Sequence, residues 1–335
     1  MKLVSQVSRV SKSRMENSMK ILFMGTPQFA VSSLALLLDQ GYEIAAVVTQ
    51  PDRPKGRKRE LTPSPVKAYA LERGLTVLQP EKLRSPEGVA EVTAIAPDII
   101  ITAAYGQILP KSVLDLPRLG CINVHGSLLP RYRGGAPIQR SIINGESETG
   151  VTLMYMAEGL DTGDMISKVE VPITDEDTAG SIFEKLSDAG SKLLIEWLPR
   201  IAEGSITRTP QNDADATYAP NLSREDEKLD WQHSSRQLFN RVRGLNPMAG
   251  GFTYLDGEVF KVWGCRIPQA SDNELSPDWM AAVPGSVLEL GAVGIRVRTG
   301  DGSIVLTEVQ PAGKKALAAA EFAKGARLTP GKVLG

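Results

Sequence analysis

Asn123 and His125 stand two residues apart where a short apolar run meets a loop rich in glycine, proline and arginine. The run contains Cys121, Ile122 and Val124 and indicates a buried strand, while the glycines and prolines after it prevent regular structure. Side chains two positions apart on a strand point to the same side, so the amide and the imidazole should emerge together. We therefore expect a polar site at the carboxyl end of this strand, where open α/β sheets bind ligands.

Both residues also have a purely structural interpretation. A single histidine beside apolar neighbours is more often hydrogen-bonded within the fold than catalytic, and asparagine commonly caps a turn. Their position on one face, directly before a polar loop, favours the catalytic interpretation.

A second polar loop, GLDTGDM at residues 159–165, carries two aspartates between strand-like runs. Either Asp161 or Asp164 could reach the face that carries His125. An Asn, a His and an Asp with no further ligands do not make a zinc site, so no metal is expected. The chain also has no G-x-S-x-G elbow for a serine nucleophile and no glycine motif for a nucleotide cofactor. What remains is acyl transfer to an amine, in which Asn and His stabilise the oxyanion.

The elements that must position these residues alternate between apolar runs and helical patterns from Lys20 onward, which indicates a mostly parallel sheet. Ser64-Pro65 and Ser85-Pro86 are typical of helix starts. The first part of the chain is therefore predicted to be an α/β domain of Rossmann-like form.

Two hairpin signals mark a different second part. Asp256-Gly257 and Asp301-Gly302 each separate strand-like runs, which predicts a smaller β domain. Before it, the chain is polar and has no apolar periodicity. We predict an N-terminal extension over 1–18, a catalytic domain over 19–204, a linker over 205–223 and the β domain over 224–335.

Composition excludes several classes of protein. The two cysteines provide no disulfide framework and no metal spacing, which fits a reducing cytosol and predicts a cytoplasmic protein. No apolar run approaches the roughly 18 residues that span a bilayer, so no membrane partner is expected. Residues 1–18 are basic and rich in serine, and an over-long start explains them better than a transit peptide, since Met15 and Met19 offer later starts.

Several segments resemble the methionyl-tRNA formyltransferase family, in that family's order from Met19 onward. They are MGTPQFA, TQPDRPKGRK, PSPVK, AAYGQILP, LGCINVHGSLLPRYRG, ETGVTLM, GLDTGDM and VQPAGKKA. The NVHGSLLP and LDTGD segments are shared by folate-dependent formyltransferases in general. The basic loop, PDRPKGRKRE at residues 51–60, and the second domain narrow the resemblance to the tRNA enzyme. The resemblance implies a C-terminal β-barrel of OB type.

The resemblance also implies a reaction and its residues. 10-formyltetrahydrofolate would donate a formyl group to the α-amine of methionyl initiator tRNA, which serves translation initiation, with no metal or nucleotide cofactor. Asn123, His125 and Asp161 match the family's catalytic residues, which makes Asp164 the weaker candidate. The folate would contact two segments, namely Ser127, Leu128, Leu129 and Pro130, and Tyr105, Gly106, Gln107 and Ile108.

Basic residues are the expected tRNA contacts. Arg57 matches the family's acceptor-stem arginine, and Arg59 lies in the same loop; Lys314 and Lys315 lie near the end of the β domain. Lys58, also assigned to tRNA, stands where relatives often have a small residue, and Glu60 where they are often basic, so the loop departs from the family pattern. We expect the enzyme to act as a monomer.

Three other functions use the same elements. The chain could formylate a small amine, such as glycinamide ribonucleotide or an amino sugar, or hydrolyse formyl-folate. It could also be an RNA-binding protein that retained the scaffold without catalysis. The basic loop and β domain favour the tRNA substrate over a small amine. The intact Asn, His and Asp argue against an RNA-binding protein without catalysis.

Overall fold

The computed structural model of the chain describes residues 19–55, 59–270, 272, 274–275, 277–326 and 328–335. Strands and helices of the first part are β1 (Ile21–Gly25), α1 (Gln28–Asp39), β2 (Ile44–Val48), β3 (Arg53–Lys55), β4 (Glu60–Thr62), α2 (Pro65–Glu72), β5 (Val77–Leu78), α3 (Pro86–Ile95), β6 (Ile99–Ala103), α4 (Lys111–Leu114), β7 (Cys121–His125), α5 (Pro137–Ile143), β8 (Glu148–Tyr155), β9 (Met165–Pro172) and α6 (Ala179–Glu203). Those of the second part are α7 (Arg224–Glu227), α8 (Ser235–Leu245), β10 (Gly251–Leu255), β11 (Glu258–Arg266), β12 (Val287–Gly291), β13 (Gly294–Arg298), β14 (Ser303–Pro311), β15 (Leu317–Ala318) and α9 (Ala319–Gly325).

A seven-stranded sheet in the order β5-β2-β1-β6-β7-β8-β9 frames the first part of the chain. The strands from β5 to β7 pair in parallel, and β7 pairs with β8 in antiparallel fashion. Strands β1 and β6 are buried along their whole length, as expected for apolar strands covered on both faces. The predicted mostly parallel α/β sheet is confirmed.

The serine-proline pairs start helices as predicted. Ser64 Oγ accepts a hydrogen bond from Lys67 N, and Ser85 Oγ accepts one from Gly88 N, with a proline at the first helical position in each case. Capping of this kind is local, because the cap and the amide that it satisfies are three residues apart.

A six-stranded antiparallel sheet forms the C-terminal part, in the order β10-β11-β14-β13-β12 with β15 beside β14. Asp256 and Gly257 have φ angles of 53° and 79° in the turn between β10 and β11, which confirms the first hairpin. The second connects β13 and β14 around Asp301. The core of this part includes Phe260, Val262 and Leu306.

The chain forms two compact units, and each unit is made of several segments that are not contiguous in sequence. Of the described residues, unit 1 contains those from 19 to 135 together with 149–171 and 183–219, and unit 2 contains those of 136–148, 172–182 and 220–335. The segment predicted as a linker thus falls mostly within unit 1. The predicted domain bounds stay a prediction.

Within the described ranges, no helix is both long and apolar enough to cross a membrane.

Candidate active site

Strand β7 ends between two neighbours that each place a threonine beside a candidate catalytic residue. Thr102 of β6 pairs with Asn123, and Thr152 of β8 pairs with His125. Since Asn123 and His125 are two residues apart on one strand, their side chains lie on the same face, which is the arrangement that the sequence predicts.

His125 is buried, with 6% of its surface exposed, and its two ring nitrogens have different neighbours. Nε2 lies 3.1 Å from the carbonyl oxygen of Tyr132. Because a carbonyl oxygen only accepts, Nε2 carries a hydrogen and donates it there. Nδ1 lies 3.8 Å from Asp161 Oδ2, a distance for an ion pair rather than a hydrogen bond. Nδ1 is therefore the nitrogen that can gain or lose a proton beside a carboxylate.

Asp161, and not Asp164, is the aspartate that lies beside His125. Its Oδ2 also accepts a hydrogen bond of 2.8 Å from Gly134 N, and its φ of 51° is left-handed. Asp164 contributes its backbone carbonyl to Tyr155 N. The sequence left both aspartates open, and the turn at Asp161 selects between them.

Asn123 offers a hydrogen-bond donor to the site. Its Oδ1 accepts a hydrogen bond of 2.9 Å from Thr102 Oγ1, which orients the amide and leaves Nδ2 as the outward group. Among the described residues, none accepts a hydrogen bond from Nδ2. An amide nitrogen in this state can stabilise negative charge on a bound oxygen.

The loop after β7 is closed by hydrogen bonds that the sequence did not predict. Thr152 Oγ1 donates to Ser127 O at 2.6 Å and accepts from Leu129 N at 3.1 Å, while Ser127 Oγ donates to Arg131 O at 2.7 Å. Ser127 and Leu129 are buried, so their side chains stabilise the loop. Leu128 and Pro130 are half-buried and leave more surface for a ligand.

The strand order reverses between β1 and β6, and α/β sheets commonly bind ligands at the carboxyl ends of strands at such a point. Thr26 Oγ1, just after β1, donates to Tyr105 O, just after β6, at 2.8 Å. Gly106 has a φ of 91°, and Ile108 is 76% exposed. Ile108 is therefore an apolar side chain available to a ligand at this edge.

Two of the residues assigned to the folate, Gln107 and Tyr105, have side chains that point into the fold. Gln107 Oε1 accepts from Leu83 N at 2.7 Å, and its Nε2 donates to Pro80 O at 3.1 Å. Tyr105 is buried, and burial together with the charge of Glu91 raises the pKa of its phenol to about 12. The Gln107 amide is thus occupied within the fold, whereas the buried Tyr105 hydroxyl has no hydrogen-bond partner among the described residues.

Asp52, at the start of the basic loop, has a side chain that is held by two hydrogen bonds. Asp52 accepts hydrogen bonds from Lys67 Nζ at 2.7 Å and Gln79 Nε2 at 2.8 Å, which together hold the pKa of its carboxyl below the usual range. Strands β3 and β4 then form a short hairpin, in which Arg59 is exposed. The predicted tRNA residues Arg57 and Lys58 lie outside the described residues. Lys314 and Lys315, in unit 2, are exposed.

The sequence analysis missed Thr102 and Thr152, which orient Asn123 and the loop after β7. Their only signal in the sequence is weak: each is a polar residue inside an apolar run. The described part of the chain holds no group of three or more His, Cys, Asp or Glu side chains placed to bind a metal ion.

Two family models match the chain: "Formyl transferase" over residues 19–198 and "Formyl transferase, C-terminal domain" over residues 221–327. The chain is 53% identical over 319 residues to the methionyl-tRNA formyltransferase of Geobacillus thermodenitrificans, covering 94% of this chain and 97% of that protein. It is 52% identical over 317 residues to that of Bacillus subtilis, covering 94% and 98%.

Solved structures share the fold at lower identity. HypX from Aquifex aeolicus in complex with tetrahydrofolic acid superimposes with a TM-score of 0.62 at 19% identity, over 91% of this chain and 46% of that one. WlaRD, a sugar 3N-formyl transferase crystallised with dTDP and 5-N-formyl-THF, gives 0.61 at 21% identity, over 89% and 99%.

Proposed function

The chain belongs to the methionyl-tRNA formyltransferase family, and from this premise we propose that it transfers the formyl group of 10-formyltetrahydrofolate to the α-amine of methionyl initiator tRNA. The product is N-formylmethionyl-tRNA. The observation that carries the proposal is the approach of His125 Nδ1 to Asp161 Oδ2 on the face where Asn123 presents its amide.

The reaction needs an oxyanion site and a proton acceptor. The amine attacks the formyl carbon, and the carbonyl electrons move to oxygen to give a tetrahedral intermediate. Asn123 Nδ2 donates a hydrogen bond to that oxygen, and His125 adds a nearby positive charge once Nδ1 has taken a proton. Removing one such donor typically costs about 2.7–4 kcal/mol of barrier.

Proton movement completes the transfer. His125 Nδ1 and the Asp161 carboxylate take the proton that the ammonium releases. The oxyanion electrons then re-form the carbonyl bond as the bond between the formyl carbon and folate N10 breaks; the electron pair stays on N10, which receives the proton taken up at His125 and Asp161. Each step uses groups of the substrates or of this chain, and none needs a metal or an oxidant.

We place the folate co-substrate at the carboxyl ends of β1 and β6, where the strand order reverses. Exposed Ile108 and the backbone around Gly106 would contact the pterin end, and Leu128 and Pro130 would border the reacting end. We assign the tRNA to the basic residues Arg57, Lys58, Arg59, Lys314 and Lys315.

Formylation of methionyl initiator tRNA, with uncharged tRNA and amino-sugar nucleotides as competing acceptors, tests the assignment. We expect label from the formyl group to appear only on the charged tRNA, because only that substrate offers both the amine and the phosphate backbone. Transfer to an amino sugar at a higher kcat/KM would instead assign a small-molecule formyltransferase.

A further inference from the structure

Gln211 lies in the polar segment that the sequence predicts to be a linker, and its side-chain amide joins two loops of the candidate site. Nε2 donates to Asp161 O at 2.7 Å and to Gly163 O at 2.8 Å. Oε1 accepts from Arg133 at Nε, 3.1 Å away, and at Nη2, 2.9 Å away. Both ends of the amide are used, and their partners assign the orientation, since carbonyls only accept and a guanidinium only donates.

Arg133 is held in turn by the same segment. It is 2% exposed, its backbone N donates to Thr217 O at 2.8 Å, and its carbonyl accepts from Ala219 N at 2.7 Å. Its Nη2 also pairs with Asp213 Oδ1 at 2.8 Å. A buried guanidinium with several hydrogen bonds has a fixed position, because losing any of its partners would leave a charge unsatisfied.

These contacts converge on Asp161 from two sides. Gln211 holds its backbone carbonyl, and Gly134, the residue after Arg133, donates its N–H to the carboxylate. The left-handed φ of Asp161 is uncommon for a residue with a side chain and persists where the surroundings enforce it. A Cβ on Gly163 would lie 1.8 Å from Tyr155 O, so the loop is also confined on its other side.

We propose that Gln211 and Arg133 are positioning residues for formyl transfer: through them, residues 209–219 keep the Asp161 carboxylate within ion-pair distance of His125. The inference rests on the proposed function of that site. In this proposal both side chains act through the Asp161 loop and not on the substrates themselves.

The variant Gln211→Glu separates the two arms of the amide. A carboxylate still accepts from Arg133, in a charge-assisted pair, but it cannot donate to Asp161 O or Gly163 O. We expect thermal stability and both KM values to be retained while kcat falls by about 10- to 100-fold, the scale expected for misplacement of a catalytic group by 1 Å. Gln211→Met, which breaks both arms, should lower kcat and thermal stability together.

Hydrogen exchange provides a readout that does not need activity. In Gln211→Glu, amides of residues 158–164 should exchange faster, while those of 217–219 should not change. Gln40→Glu, on an exposed glutamine at the end of α1, controls for the added charge and should match the unmodified enzyme.

Two results would overturn the inference. One is an unchanged kcat in Gln211→Glu, and the other is a loss of kcat that parallels the loss of stability in both Gln211 variants. If the unmodified chain does not formylate methionyl-tRNA, the proposed function fails by itself, and unchanged exchange over 158–164 would then still refute the bracing of this loop.

Discussion

His125 is anchored at one ring nitrogen, and in the proposed reaction the other exchanges a proton. Replacing it with alanine should cut kcat by about 10²- to 10⁴-fold, the usual contribution of general acid-base catalysis. Folding and tRNA affinity should be nearly intact, because among the described residues the imidazole makes one hydrogen bond, to Tyr132 O. The measurement is single-turnover formylation with saturating substrates.

The chain supplies its own control in His233, its other histidine, which lies in unit 2. His233→Ala should keep normal turnover. Normal turnover in His125→Ala would contradict the proposed reaction.

Among single residues, the sequence predicts those relationships that spacing along one strand determines. Asn123 and His125 share a face because strand side chains alternate, so their pairing needed no structure. Choosing between Asp161 and Asp164 depended on a left-handed turn and on contacts with Gly134, 27 positions earlier. Spacing alone does not encode such contacts.

At the scale of elements, Thr152 connects β8 to the loop after β7. Thr152→Val keeps the shape but leaves Ser127 O and Leu129 N without this partner, which should lower the free energy of unfolding by about 1–3 kcal/mol. Because Leu128 and Pro130 would then be held less firmly, the KM for the folate should also rise. Denaturant unfolding and initial rates check the two effects.

The matched control is Thr207→Val, at an exposed position. It should change neither quantity. Equal effects of the two substitutions would show that the buried hydroxyl has no special part in closing the loop.

Helices α5 and α7 of unit 2 are linked by an ion pair that should respond to acid. Arg140 Nη1 lies 2.9 Å from Asp226 Oδ1, and its hydrogen bond lowers the pKa of that carboxyl to about 2. Because the folded pKa is below the unfolded value of about 3.9, the stabilisation is complete above that value and is lost as pH falls toward 2.

We therefore expect Arg140→Met to lower the melting temperature near neutral pH and to lose less on further acidification from pH 4 to pH 2 than the unmodified chain. Melting curves across that range make the comparison. Parallel curves for the two proteins would contradict the assigned role of the pair.

Helix caps and hairpins were predictable because their determinants are adjacent, as at Ser64, Ser85 and Asp256-Gly257. Gln211 was not, since its polar neighbours show no periodicity and its partners lie 48 to 78 positions away. A segment without helix or strand pattern can still be fixed by side-chain hydrogen bonds, which leave no local signal.

For the whole molecule, the predicted α/β fold with a C-terminal β part is confirmed, and so is the family. The interleaving of the two units was not predictable, because nothing in residues 136–148 distinguishes them from their neighbours. In unit 2, α5 packs closely on α8: a Cβ on Gly244 would lie 2.7 Å from Ile143 Cγ1.

A fragment that ends at residue 219 should consequently be less stable than the full chain. Without α8, Ile143 of α5 loses its close contact at Gly244 and becomes more exposed. We expect a lower melting temperature and increased binding of a hydrophobic dye, and both should be reversed when residues 220–335 are supplied as a second chain. A fragment with the melting temperature of the full chain would contradict this dependence.

The same interleaving affects the chain while it is being made. Helix α5 leaves the ribosome about 90 residues before α8, the helix on which it packs. At roughly 5–20 residues per second, the nascent chain presents the apolar side of α5 for roughly 5 to 20 s before its partner exists. Synthesis speed and chaperone supply over this interval, rather than the stability of the finished fold, should therefore set how much of the chain escapes aggregation.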